Sequence, residues 1–167
     1  MNFKKLEVWN YVKANFGKIM LGAFKLGAAF WVNSSPLLSS KTISYDAVKS
    51  QAQFDYKTKV PAVTEHTFRT ISKKNLMKLV NFFPIRHVKF TEEKFDCDDY
   101  ALTLAGFMRM VCPDISFGYA QTKTHAFNVV CLDDGLMYLF EPQNNRLITL
   151  KEAKRDPQYY EIYLMVI

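Results

Sequence analysis

The chain has few cysteines and no repeated or low-complexity tracts. Its 167 residues include three cysteines, at positions 97, 112 and 131. This spacing gives neither a CxxC metal motif nor the even, closely spaced set of a disulfide framework. We therefore expect a reducing compartment, or at least a free thiol. The lack of internal repeats and biased segments excludes a solenoid or a collagen-like chain.

The chain also lacks a concentration of charge of one sign. Its formal net charge of +6 is spread thinly, and lysines cluster only in pairs such as Lys4-Lys5 and Lys73-Lys74. No basic-aromatic signature of nucleic-acid binding occurs, so we expect no nucleic-acid partner. A hydrophobic content of 49% and an aromatic content of 15% are enough to bury the core of one ordinary domain.

Residues 1–32 lack both proline and the long apolar run of a membrane-spanning helix, because a full span would bury Lys25. Glu7 and later lysines interrupt the apolar core that a signal peptide requires. We predict an amphipathic helical segment that packs on the chain's own core, or docks on a membrane surface or a partner protein. These features predict a cytoplasmic protein.

Two further regions follow this segment. Residues 33–70 are polar and contain Ser-Ser-Pro and Val-Pro-Ala-Val, so we predict extended, irregular chain that forms part of the domain. Residues 71–167 form the predicted core, which ends in an apolar strand over residues 159–167. The predicted fold class is α+β, with N-terminal helices and the helix that begins at Cys97 packed on an antiparallel sheet.

Cys97 opens a predicted helix, because apolar residues recur after it at intervals of three and four and Asp96 is a good N-cap. A thiol in the first turn lies near unpaired backbone N–H groups, which favour the nucleophilic thiolate. The carboxylates of Asp96, Asp98 and Asp99 oppose that charge. This acidic flank is either balanced by an ion pair with His125 or holds a cation.

A predicted hairpin supplies a histidine and a carboxylate. His125 begins an apolar strand, Asp133-Asp134-Gly135 predicts a tight turn, and Glu141 ends the returning strand before a proline. Residues whose numbers sum to about 268 then lie opposite each other. The imidazole is predicted to lie beside Glu141, Gln143 and Asn144, each a candidate to orient it. Thiol, imidazole and carboxylate are the components of an activated nucleophile.

These motifs resemble the papain-like cysteine peptidase domain of the fungal chimeric agglutinins, the C-terminal domain of the Marasmius-type lectins, and its small bacterial and phage relatives. The resemblance runs from about residue 70 to the end and implies a papain-like or transglutaminase-like fold. It is carried by Cys-Asp-Asp-Tyr-Ala at residues 97–101, His-Ala-Phe-Asn at 125–128 and Glu-Pro-Gln at 141–143. The family's catalytic order falls on Cys97, His125 and Glu141.

The resemblance implies a cysteine hydrolase, a thiol peptidase or amidase that cleaves a peptide or protein substrate through an acyl-thioester. The alternatives are a transglutaminase-type acyl transferase and an inactive papain-like binding or structural module of phage or bacterial origin. The family's peptidases use calcium or manganese, which implies a metal role for Asp98 and Asp99. One departure is that the stretch before Cys97, HVKFTEEKFD, offers no Gln or Asn as an oxyanion donor.

Overall fold

The computed structural model describes residues 37–58, 61–62, 65–83, 88, 91 and 95–167. Contacts divide the chain into two units, Met1–Ser35 and Pro36–Ile167. The first unit lies outside the described residues, and so does the helical segment predicted over residues 1–32. None of the helices in the described ranges combines the length and the apolar run needed to cross a bilayer.

The second unit alternates short strands and helices. In chain order its described elements are β1 (Leu38–Ser44), α1 (Tyr45–Asp55), β2 (Pro61–Ala62), β3 (Thr67–Ile71), α2 (Lys73–Asn81), α3 (Cys97–Val111), β4 (Phe117–Gln121), β5 (Ala126–Cys131), β6 (Met137–Glu141), β7 (Arg146–Ile148), α4 (Leu150–Ala153) and β8 (Leu164–Val166). Strands β1 and β3 form an antiparallel pair, and the other six form a sheet in the order β2-β8-β4-β5-β6-β7. In this sheet β2 and β8 are parallel, whereas the remaining pairs are antiparallel.

Strand β5 lies in the interior of the six-stranded sheet and is buried along its whole length. On one face, Phe127 and Val129 pack in a core with Val48 and Ala52 of α1. On the other face, Ala126 packs with α3. Helices therefore cover both faces, which explains why β5 is apolar without alternation.

The β5–β6 hairpin has the predicted register. Asn128 lies opposite Phe140, and Cys131 lies opposite Met137. The turn uses Gly135 at a φ of +82°, a conformation that favours glycine. The register prediction is confirmed because one tight turn fixes the pairing of both strands.

Asn128 links α3 to the sheet by hydrogen bonds. Its buried side-chain amide donates hydrogen bonds to the carbonyl oxygens of Ala101, at 2.7 Å, and Gly118, at 3.0 Å. A Cβ atom at Gly118 would overlap the carbonyl oxygen of Val166, so the close approach of β4 and β8 requires glycine. These contacts hold the first turns of α3 against β4 and β5.

The structure contains regular elements where irregular chain was predicted. Within residues 33–70 it places β1, α1 and β3, and the prediction of irregular structure for α1 is wrong. The helix begins after Ser44, whose Oγ accepts a hydrogen bond from the Ala47 amide at 3.3 Å. Only Val48 and Ala52 of this polar helix are buried, so it carries little apolar periodicity. The final strand is also shorter than the predicted residues 159–167, although it lies between two neighbours as expected.

Candidate functional site

Cys97 is the first residue of α3, as predicted. Asp96 is the N-cap, and its carboxylate accepts a hydrogen bond from the Asp98 amide at 3.3 Å. The Asp99 carboxylate accepts in return from the Asp96 amide at 3.3 Å. Asp96 and Asp99 thus form a reciprocal capping box, which satisfies backbone groups that a helix start leaves unpaired.

The surroundings of Cys97 favour the neutral thiol. Burial raises its pKa above the ordinary value, and the charges of Asp96 and Asp98 raise it further. A hydrogen bond from the Ala126 backbone acts in the opposite direction without reversing the shift. Because the thiolate is the attacking form of cysteine, this electrostatic environment opposes activation of Cys97.

His125 and Glu141 are brought together as the hairpin register predicts. His125 Nε2 lies 2.6 Å from Glu141 Oε2, with side-chain exposures of 14% and 4%. The other carboxylate oxygen of Glu141 accepts a hydrogen bond from the Gln143 amide at 3.2 Å. The Glu141 carboxylate is therefore held from two sides and fixes the imidazole.

Tyr159 completes this cluster, and sequence reasoning missed it. Its hydroxyl donates to Glu141 Oε2 at 3.1 Å, and its ring meets the His125 ring edge-on with centroids 5.4 Å apart. Burial and the Glu141 carboxylate raise the pKa of Tyr159 to about 12. A Tyr-Tyr pair in an apolar stretch gave no signal for this role, because the contact depends on tertiary packing.

The backbone of His125 is fixed by Thr122. The Thr122 hydroxyl oxygen accepts a hydrogen bond from the His125 amide at 3.2 Å, and the Thr122 amide donates to the His125 carbonyl oxygen at 2.8 Å. This buried threonine closes the turn between β4 and β5. These hydrogen bonds fix the backbone that carries the imidazole.

Two predicted site residues, Gln143 and Asn144, have other environments. Gln143 and Asn144 are exposed, and Asn144 Oδ1 accepts a hydrogen bond from the Arg146 amide at 3.1 Å. Gln143 reaches Glu141 through its backbone amide and not through its side chain. Neither side chain is hydrogen-bonded to the imidazole, and across the described residues no hydrogen bond joins Cys97 Sγ to His125.

Asp98 and Asp99, the predicted metal ligands, have different environments, because only Asp99 belongs to the capping box. Ligand atoms of Asp96, Cys97 and Asp98 lie within 4.8 Å of one another, whereas the Asp99 carboxylate caps the helix. Calcium takes six to eight oxygen ligands, and manganese also prefers oxygen donors. Two carboxylates and a thiol do not supply that set within the described residues. A metal role for Asp98 and Asp99 stays a prediction.

A polar and aromatic surface adjoins the start of α3. We call it the Tyr119 surface; it is formed by the exposed Tyr163, the half-buried Asp98 and Gln121, and Tyr119, which is 8% exposed. The Tyr119 hydroxyl donates to Gln121 Oε1 at 2.9 Å, and the Tyr163 amide donates to the Gln121 carbonyl oxygen at 3.0 Å. Burial raises the pKa of Tyr119 to about 12, with Asp98 the next contributor. Tyr163 leaves 44% of its surface exposed.

Comparison with known proteins identifies the fold. A scan against protein-family models and a search of curated proteins found no match. The chain is similar to the structure of PSL1a in complex with E64, with a TM-score of 0.62 and 14% identity over 75% of this chain and 51% of that one. It is also similar to Polyporus squamosus lectin bound to Neu5Acα2-6Galβ1-4GlcNAc, with a TM-score of 0.59 and 13% identity over 75% of this chain and 49% of that one.

These similarities concern the fold, and the chain spans about half the length of each structure it matches. They contradict the assignment to a papain-like peptidase domain, because the matching structures belong to a lectin. The papain-like α+β fold class is corrected accordingly to the fold shared with this lectin. The short motifs around the cysteine and the histidine reflect helix caps and strand ends. Such local features occur in proteins with unrelated functions.

The functional predictions that depended on this assignment are corrected with it. The similarity to a lectin contradicts the predicted cysteine hydrolase and the two alternatives to it, an acyl transferase and an inactive papain-like module. The raised pKa of Cys97 agrees with the correction, since an activated thiol needs the opposite shift. The structure places Cys97 at the start of α3 and His125 beside Glu141, and the catalytic roles of these three residues stay a prediction.

Proposed function

We propose that this chain is a carbohydrate-binding module. The single observation that carries the proposal is the fold shared with Polyporus squamosus lectin, which was solved with a bound sialylated trisaccharide. That comparison concerns about half of the lectin chain, so the proposal also requires that this chain has polar and aromatic groups able to bind a sugar. The Tyr119 surface offers them.

Sugars present hydroxyl groups at their edges and C–H groups on their faces. Protein sites for such ligands combine a few fixed polar groups with apolar or aromatic area. On the Tyr119 surface the exposed ring of Tyr163 supplies the aromatic area. The Tyr119–Gln121 pair and the Asp98 carboxylate supply donors and acceptors for hydroxyl groups.

The charge of this surface favours a neutral sugar. Asp96 and Asp98 both act electrostatically on Tyr119, and the net charge of +6 for the whole chain does not place a cation among the residues of the Tyr119 surface. A sialic acid carboxylate would meet like charge there. We therefore expect the Galβ1-4GlcNAc portion to bind this surface more readily than the sialic acid.

The test is a titration of the ¹⁵N-labelled chain with Galβ1-4GlcNAc, followed by amide chemical shifts. We expect saturable shifts at the Gln121 amide. Because one stacked ring contributes about 1 kcal/mol, Tyr163→Ala should weaken binding about fivefold to tenfold. Phe54→Ala serves as the matched control, because Phe54 is an exposed aromatic residue on α1.

A second ligand separates this proposal from other uses of the fold. E64 is the molecule bound to PSL1a in the other matching structure. If E64 shifts the amides near the start of α3 while Galβ1-4GlcNAc leaves them unchanged at saturation, the carbohydrate proposal is overturned. Equal binding by Tyr163→Ala and the unmodified chain would remove the Tyr119 surface from it.

A further inference from the structure

A separate polar groove lies at the turn end of the β5–β6 hairpin. Its volume is about 440 Å³, within the ~300–1,000 Å³ of typical small-molecule sites. We call it the Asp133 groove; the lining residues used below are Lys73, Asp133, Asp134, Tyr138, Leu147 and Glu152. Six residues of β5 separate this end from His125, or about 20 Å at ~3.3 Å per residue.

Part of the groove is held in place by its own hydrogen bonds. The Tyr138 hydroxyl donates to Asp134 Oδ2 at 2.7 Å, and Asp134 Oδ1 accepts from the Leu136 amide at 2.9 Å. Glu152, another lining residue, accepts hydrogen bonds at Oε2 from the amide and the hydroxyl of Thr149, at 2.8 Å and 2.9 Å. These groups keep their geometry without a ligand, which lowers the entropic cost of binding one.

Two charged groups of the groove remain available to a ligand. Within the described residues, the Lys73 ammonium and the Asp133 carboxylate make no hydrogen bond. The backbone of Asp133 is nevertheless fixed, because its amide donates to the Ile71 carbonyl oxygen at 3.2 Å and its carbonyl oxygen accepts from Lys41 Nζ at 2.8 Å. The groove therefore presents one free donor and one free acceptor on a rigid frame.

The charges around the groove are close to balanced. Three carboxylates line it, those of Asp133, Asp134 and Glu152. They are opposed by Lys73, by Lys41 at the Asp133 carbonyl oxygen and by Arg146, whose guanidinium lies 4.0 Å from Glu152. A groove without excess charge suits a neutral ligand with hydroxyl groups better than an anion or a cation.

We propose that the Asp133 groove is a second sugar site, specific for neutral hexoses. The inference rests on the proposed carbohydrate-binding function and adds a site and a ligand class to it. The ring of Tyr138 and the side chain of Leu147 face the C–H surface of the sugar. Lys73 donates to, and Asp133 accepts from, its hydroxyl groups. The chain would then bind neutral sugars at two sites, the Tyr119 surface and the Asp133 groove.

The experiment is the same ¹⁵N titration with Galβ1-4GlcNAc, read at the amides of Gly135 and Leu136. We expect saturable shifts there in the unmodified chain, and at least a tenfold loss of affinity in Lys73→Ala/Asp133→Asn. Lys74→Ala is the matched control, because Lys74 is also an exposed lysine in the first turn of α2 but does not line the groove. Retained dispersion of the amide spectrum shows that each variant is folded.

The readouts separate failure of the groove from failure of the carbohydrate proposal. Shifts at Gln121 with none at Gly135 would overturn the groove and leave the proposed function standing. Shifts at neither position would overturn both. If Neu5Acα2-6Galβ1-4GlcNAc bound the groove tenfold more tightly than the neutral disaccharide, the assignment to neutral sugars would be overturned.

Discussion

The two ends of the β5–β6 hairpin use their charged residues in opposite ways. At the strand end, Glu141 is buried and the His125 side chain is 14% exposed; the two side chains are joined at 2.6 Å, and Tyr159 donates a hydrogen bond to Glu141. At the turn end, Asp133 and Lys73 lie in an open groove, and their charged groups make no hydrogen bond within the described chain. A buried cluster whose polar groups are hydrogen-bonded to one another stabilises the fold. Exposed polar groups without a hydrogen-bond partner in the protein can instead bind a ligand.

The largest effect on stability should come from removing the Glu141 carboxylate, and removing the Asp134 carboxylate at the other end is the comparison. Glu141→Ala leaves the His125 ring and the Tyr159 hydroxyl without their acceptor in a buried position. We expect a loss of about 3 kcal/mol in the free energy of unfolding. Asp134→Ala, at the exposed turn, should cost less than about 1 kcal/mol. Urea denaturation of the two variants provides the measurement, and equal losses would remove the distinction between the ends.

The pH dependence of stability should differ at the two ends. The pKa of Tyr159 is raised to about 12 by burial and Glu141. A group with a raised pKa in the folded state stabilises below its unfolded pKa, near 10, and this contribution is lost as pH rises towards 12. Thr149 instead lowers the pKa of Glu152. The contribution of Glu152 to stability is therefore present above its unfolded pKa and is lost as pH falls through its folded pKa.

Single substitutions test this assignment. Tyr159→Phe should flatten the alkaline limb of a melting temperature–pH profile between pH 10 and 12, and Glu152→Gln should flatten the acid limb. Each variant is the control for the other, because neither should change the opposite limb. An alkaline limb that persists unchanged in Tyr159→Phe would show that the buried end does not titrate as described.

The predictable parts of this site were those set by local chemistry. The Asp96 cap and the hairpin register follow from a short polar residue before a helix and from Asp-Asp-Gly at a turn. Tyr159 and α1 were missed for the opposite reason. The tyrosine reaches Glu141 only through packing, and the helix buries too few residues to show periodicity. The fold assignment failed because the short motifs around Cys97 and His125 describe element ends, whereas a fold is defined by the arrangement of all its strands.

The smallest expected effect is on the reactivity of Cys97, which belongs to the comparison through the His125 end of the hairpin. Because burial and the adjacent aspartates raise its pKa, alkylation by iodoacetamide should be slow at pH 7 and should increase above the pH at which a free cysteine reacts. Asp98→Asn removes one opposing charge, so it should move this profile towards lower pH. Mass spectrometry locates the adduct, with the buried Cys112 and Cys131 as internal references. Rapid labelling of Cys97 at pH 6 in the unmodified chain would contradict the described electrostatics. It would show that His125 stabilises the thiolate despite the neighbouring carboxylates.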